Sequence, residues 1–177
     1  MTQPAPSARL SYEPMGPAHR PALLEVYGDL AAMRWVGDGT AITVEECDQW
    51  LEVTARNLAT RGYGMLALRS RATNEVLGFA GLVHPGGQEE PELKYALGRG
   101  WWGQGLATEA GAALLAWGRE SLGMDRIQAT VAEEHAVSRR VLAKLGMAPC
   151  GREVEEDGSV TLVYASTASP EQPGAGS

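Results

Sequence analysis

Apolar positions along this chain follow two rhythms, and their alternation lays out an α/β domain. Arg9 to Glu13 reads as a first strand, closed by Pro14, Gly16 and Pro17. A helix is expected from about Ala18 to Leu30. A second begins after Thr43, where Thr43 and Glu46 have capping-box spacing and Cys47, Trp50, Leu51, Thr54 and Leu58 share one face. Gly62 and Gly64 open a strand through Leu68, and Ala72 to Glu75 turn the chain. The nearly continuous apolar run Val76 to Val83 suits a strand buried on both faces. Glu92 to Leu97 is the next strand. After it, Leu106, Ala110, Ala113, Leu114 and Trp117 fall at helical spacing, with Gly123 as the stop. Ile127, Ala129 and Val131 alternate along a further strand. Val137, Val141, Leu142 and Leu145 then mark a helix ended by Gly146. A hairpin pairs Arg152–Glu156 with Val160–Tyr164 around Asp157-Gly158. The order is βααβββαβαββ: an α/β fold with a mixed, largely antiparallel sheet flanked by about four helices.

Residues 1–8 and 166–177 offer too little apolar surface to bury, so both ends are expected to be disordered around a single domain at 9–165. A chain of 177 residues with 44% apolar and 21% charged content has the composition of a soluble globular protein. No apolar run approaches the roughly 20 residues that span a bilayer, and the N-terminus lacks the regions of a signal peptide, which places the expectation in the cytoplasm. The net charge of −7 argues against nucleic acid as a partner and is compatible with cationic substrates, although solubility explains it equally. Cys47 and Cys150 fit neither a metal spacing nor a disulfide framework and read as reduced thiols. His19, His84 and His135 are scattered, and no metal site is expected.

The stretch that carries chemistry is Gly98 to Ala110, G-R-G-W-W-G-Q-G-L-A-T-E-A. A strand, a glycine turn and a helix N-terminus make an anion cradle: glycines allow close backbone approach, and the first N–H groups of the helix lack intrahelical partners and carry the positive end of its dipole. Phosphate or pyrophosphate is the natural guest. A P-loop is excluded because no Lys-Ser or Lys-Thr follows the glycines. A dinucleotide fold requires an acidic residue at a strand end about twenty residues on; Asp125 stands near that distance but in a loop.

Trp102-Gly103-Gln104-Gly105-Leu106-Ala107 resembles the acetyl-CoA loop of the GNAT superfamily, Gln/Arg-x-x-Gly-x-Gly/Ala. The extended W-G-Q-G-L-A-T-E-A is similar to the RimJ/RimL-like branch, which acetylates ribosomal-protein N-termini. A second block supports it: His135 to Met147 resembles that branch's Asn-x-x-Ser-x-x-x-Leu-x-Lys-Leu-Gly-Phe. The likeness covers roughly residues 9 to 165 and departs from the pattern at Trp102 and at His135, which stands for the usual Asn.

The resemblance implies acetyl-CoA as co-substrate, no metal, and an amine acceptor, either a small molecule or a peptide. The amides of Trp102, Gly103, Gln104, Gly105, Leu106 and Ala107 would hold its pyrophosphate, and His135 falls where the family contacts the pantetheine arm. Glu92 takes the position of the catalytic base, with a solvated strand-start acid as the plainer reading. A backbone N–H near Leu97 would receive the oxyanion. No tyrosine lies between His135 and Gly146 to protonate the departing thiolate, so Ser138 takes that role, against the plainer reading of a first-turn helix residue. Tyr95, Trp101 and Trp35 would line the acceptor pocket or belong to the core. Arg139 and Arg140 would reach phosphates or solvent, Glu89 and Glu90 supply a negative rim, and Glu109 plays a structural part on the cradle helix. The implied activity is N-acetyl transfer by direct attack in a ternary complex. The alternative is a non-catalytic acyl-CoA-binding module, and the C-terminal hairpin edge leaves a homodimer open.

Overall fold

The computed structural model describes residues 3–36 and 39–167. Met1, Thr2 and the expected tail beyond Thr167 lie outside them. Seven strands form one sheet in the order β1-β2-β3-β4-β5-β7-β6: β1 (Leu10–Pro14), β2 (Met65–Ser70), β3 (Val76–Val83), β4 (Glu92–Leu97), β5 (Arg126–Ala132), β6 (Ala148–Val154) and β7 (Val160–Thr167). All neighbouring pairs are antiparallel except β4 and β5, which run parallel. Among the described residues five α-helices accompany the sheet: α1 (Arg20–Tyr27), α2 (Leu30–Met33), α3 (Val44–Arg61), α4 (Leu106–Leu122) and α5 (Ala136–Lys144). The α/β class and the mixed, largely antiparallel sheet are as read from the sequence, with one helix more.

The extra helix comes from splitting the first. The expected helix over 18–30 ends at Tyr27, with Gly28 as its C-cap, and a new turn starts because Asp29 caps it, its side chain accepting from the Ala31 amide at 2.9 Å. An aspartate that bonds local backbone competes with helix continuation. The capping box of α3 forms as expected, Thr43 and Glu46 each accepting from the other's amide. At the other end, β6 begins at Ala148 rather than Arg152. Pro149 and the bulge that follows it are tolerated because β6 is the edge strand.

Alternation along the strands sorts the core into two halves. Leu66, Leu68, Ala80, Leu82, Leu93 and Leu97 pack with Leu106, Ala110 and Leu114 of α4 and Leu142 of α5. On the opposite face Ala67 and Phe79 meet Leu23, Val26 and Tyr27 of α1 and Cys47 and Leu51 of α3. Each fully buried aliphatic contributes about 1.5–3 kcal/mol. β4 is divided accordingly: Leu93, Tyr95 and Leu97 turn toward α4 and α5, whereas Glu92, Lys94 and Ala96 turn toward the α1–α3 side.

The feature that makes a site is a discontinuity. β4 and β5 are in register only at Glu92 and Gln128, where the Gln128 amide donates to the Pro91 carbonyl at 2.9 Å. β4 keeps its full ladder with β3, and β5 keeps its own with β7. Past Glu92 no ladder pair joins β4 to β5 among the described residues, and a slot is left between them. No helix among the described residues is long and apolar enough to cross a membrane.

Candidate active site

On the α1–α3 face of the slot, Glu92 is 3% exposed. Thr130 of β5 donates its hydroxyl to Glu92 Oε1 at 2.5 Å, and Lys94 Nζ lies 2.5 Å from the same oxygen and 3.1 Å from Thr130 Oγ1. Gln88 Nε2 reaches Glu92 Oε2 at 3.4 Å and the Glu90 carbonyl at 2.9 Å. The loop bearing Gln88 is held from behind. His84 Nδ1 is 2.9 Å from the Gln88 carbonyl and His84 Nε2 is 2.8 Å from the Tyr63 hydroxyl. Because a carbonyl only accepts, the proton sits on Nδ1 and Tyr63 donates to Nε2. A buried carboxylate requires this kind of compensation.

The opposite face of the slot is neutral. Tyr95, next to Lys94 but pointing the other way, places its hydroxyl 2.7 Å from Ser138 Oγ in the first turn of α5. Burial pushes the Tyr95 hydroxyl above its usual titration range, and the bond to Ser138 only partly offsets that. Two hydroxyls sharing one hydrogen bond leave one O–H free to donate elsewhere.

β4 leads directly into the glycine turn. The Gly98 amide donates to the Leu77 carbonyl at 2.9 Å, which closes the ladder with β3 and, by antiparallel alternation, turns the Leu97 N–H and C=O toward the slot. The Leu97 carbonyl accepts from the Trp102 indole at 2.8 Å, while the Leu97 N–H faces the slot. Gly103 (φ +72°) and Gly105 (φ +77°) adopt left-handed backbone that side chains disfavour, which folds the loop over the N-terminus of α4. The Trp102 amide is spent on the Arg99 carbonyl at 3.2 Å, which leaves the cradle to the residues from Gly103 onward.

The loop is clamped from the N-terminus of the chain. Glu109 accepts from the Ser7 hydroxyl (2.6 Å), the Arg9 amide (2.7 Å) and Arg9 Nε (2.7 Å), while Arg9 Nη1 donates to the Gln104 carbonyl at 2.8 Å. Burial pushes the Glu109 carboxyl up, but the bonds from Ser7 and Arg9 together with the arginine charge outweigh it and hold the carboxyl below its usual range.

Residues 9–148 match the family described as the acetyltransferase (GNAT) domain. The chain belongs to the GNAT acetyltransferases. It is 39% identical over 76 residues to an uncharacterized N-acetyltransferase p20 of Bacillus licheniformis; the matched stretch covers 42% of this chain and 43% of that protein, less than half its length. The fold superposes on an acetyltransferase from Agrobacterium tumefaciens with a TM-score of 0.79 at 26% identity, covering 95% of this chain and 96% of the other. RimL, a ribosomal L7/L12 alpha-N-protein acetyltransferase solved with coenzyme A, shares the fold at 18% identity and a TM-score of 0.78 over 92% and 96% of the two chains.

Seen as a GNAT domain, the chain brings most of its expected residues to one slot: Glu92, Leu97, Ser138 and the loop 102–107 all border β4, its opening or its exit. His135 does not join them by any bond. It caps α5 with its ring stacked on Trp35, centroids 5.1 Å apart and planes 19° from parallel, and burial lowers its titration so that the imidazole is neutral near pH 7. Arg34 covers the Trp35 ring at 4.7 Å. Trp101 packs against the core, and so does the ring of Tyr95. Arg139 and Arg140 line an open groove of about 340 Å³ with Ala136, Ala143 and Tyr164. The negative rim is partly neutralised, because Glu90 pairs with Arg126 at 2.9 Å. Both cysteines are free thiols, Cys47 buried and Cys150 exposed. No group of three or more His, Cys, Asp or Glu side chains is placed to hold a metal among the described residues.

Three contacts at the slot escaped the sequence: those of Lys94 and of Thr130 with Glu92, and the Tyr95–Ser138 bond. Lys94 was detectable from its i+2 spacing to Glu92, which places both side chains on one face of a strand. Thr130 and Ser138 meet β4 only through long-range pairing.

Proposed function

We propose that this GNAT enzyme carries acetyl from acetyl-CoA to a primary amine, a protein N-terminus or a small-molecule amine, by direct attack in a ternary complex. The observation that carries the reading is the slot itself: a buried carboxylate on one face, Glu92, and a hydroxyl pair on the other, reached from Tyr95 three residues further along the same strand. The two left-handed glycines and the start of α4 fit a pyrophosphate, with amides from Gly103 to Ala107 as its donors, and the donor supplies an activated thioester carbonyl. Glu92 takes the proton that an ammonium must lose before it has a lone pair to attack with. The Leu97 amide is aimed to receive negative charge developing on the carbonyl oxygen. Ser138, oriented by Tyr95, donates to the leaving sulfur, whose free thiol has a pKa near 8.5. The two sequence blocks support placement in the RimJ/RimL-like branch.

A non-catalytic acyl-CoA-binding module is the rival reading, and the Lys94–Glu92 ion pair is the observation in its favour, since it occupies the base. Thiol release with acetyl-CoA and a panel of amines, from peptide N-termini to polyamines, separates the two. Turnover with at least one amine, lost in Glu92→Gln, supports the enzyme. Tight acetyl-CoA binding by calorimetry with no thiol release from any amine overturns it.

A further inference from the structure

The primary amine nearest to Glu92 belongs to the chain itself. Lys94 Nζ lies 2.5 Å from Glu92 Oε1 and donates to Thr130 Oγ1 at 3.1 Å, so one ammonium touches the carboxylate on β4 and a hydroxyl on β5 and bridges the slot where the strands have parted. Its neighbour Tyr95 reaches through the other face to Ser138. The lysine amine and the hydroxyl pair therefore flank one opening from opposite sides at the same level of β4. The Lys94 side chain is 42% exposed and ends a flexible four-carbon stem, whereas the carboxylate it touches is buried. Amine, base and leaving-group donor are the parts that N-acetyl transfer needs, and here all three are intramolecular.

We propose that Lys94 is a self-acetylation site, modified by acetyl-CoA bound in its own slot. This rests on the reading of the slot as an acetyl-CoA-dependent transfer site. The Lys94 ammonium gives one proton to the Glu92 carboxylate, and the freed lone pair attacks the thioester carbonyl carbon. A C–N bond forms, the C–S bond breaks, and the nitrogen sheds its second proton. Of the two protons, one ends on the coenzyme thiol and one in solvent. The product is a neutral Nε-acetyl amide. It cannot ion-pair, so acetylation removes the charge that holds Glu92 and leaves the carboxylate to an incoming amine.

The chain is well suited to the test, because Lys94 and Lys144 are its only lysines. The full-length protein is incubated with acetyl-CoA and no acceptor, and intact mass and peptide mapping are followed over time, with the N-terminal amine mapped separately. One acetyl group on Lys94 is expected, at a rate independent of protein concentration. Lys94→Arg should stay unlabelled there, Lys144→Arg should label as wild type, and Glu92→Gln should label at least tenfold more slowly while still binding acetyl-CoA by calorimetry. Thr130→Val, which keeps the Glu92 side chain but removes the hydroxyl that donates to it and accepts from Lys94, gives a second slowed variant should Glu92→Gln fail to fold. Equal labelling of Lys94 and Lys144, or a Lys94 rate untouched in Glu92→Gln, would mean chemical acetylation and overturn the inference. So would an unlabelled Lys94 in a preparation that releases thiol with an added amine, a result that leaves the proposed activity standing. Failure to bind acetyl-CoA at all removes both.

Discussion

The two faces of the slot solve different problems with different amounts of structure. On one, a carboxylate is buried among Thr130, Lys94 and Gln88, and a further pair, His84 and Tyr63, fixes the loop behind it. On the other, two hydroxyls share a single bond. A buried charge must be compensated several times over, whereas a buried hydroxyl is satisfied by one partner and keeps capacity to spare. The charged face is thus redundantly held but occupied, and the neutral face is sparsely held but available.

The strongest way to break this contrast is Glu92→Gln. It should lower kcat/KM about 10²-fold or more, in the range of a lost general base, while acetyl-CoA affinity measured by calorimetry stays as in wild type. A loss below tenfold would move deprotonation away from this face. Ser138→Ala should lower kcat about tenfold, or about 1.4 kcal/mol, with KM unchanged, as befits a contact made only as the thiolate leaves. A matching rise in KM would make Ser138 a binding residue instead.

A smaller effect, about threefold in kcat, is expected for Tyr95→Phe, and none when Ser138 is already alanine. Additive losses in that double-mutant cycle would separate the two hydroxyls. With its titration raised by burial, Tyr95 stays protonated across the usual assay range, so the ratio of wild-type to Tyr95→Phe rates should be flat from about pH 7 to 9. Glu109 lies outside both faces and serves as the control. Glu109→Gln should weaken acetyl-CoA binding a few-fold and leave kcat at saturation unchanged. Its folded carboxyl titrates below the unfolded value of about 4.3, so the clasp stabilises fully above that value and fades as pH falls through the folded one. Thermal melts of wild type should therefore lose more stability on acidification than those of Glu109→Gln.

What could be read in advance divides along the same line. The strands, the glycine loop and the α3 capping box rest on local rules, and so the positions of Glu92, Leu97 and the loop were legible as spacings. The break at Asp29 was not, because its carboxylate caps α2 and also pairs with Arg99, seventy residues away. Ser138 was legible as a motif position, yet its partner Tyr95 comes from a strand–helix contact that no local pattern encodes. Lys94 stood in plain sight two residues from Glu92. Its meaning depended on β5 arriving alongside with Thr130.

The clasp of Arg9 and Glu109 has a consequence for how the domain matures. Its partners are separated by 100 positions, and Arg9 also reaches Gln104 within the cradle. Contacts of such long range carry a larger loop-closure cost than local ones. On that ground the cradle is expected to be completed late in folding, after the sheet has paired. Any ligand that favours the closed form adds to its stability by mass action. A donor seated in the proposed cradle would thus proofread the fold, rewarding a chain whose first strand has found α4.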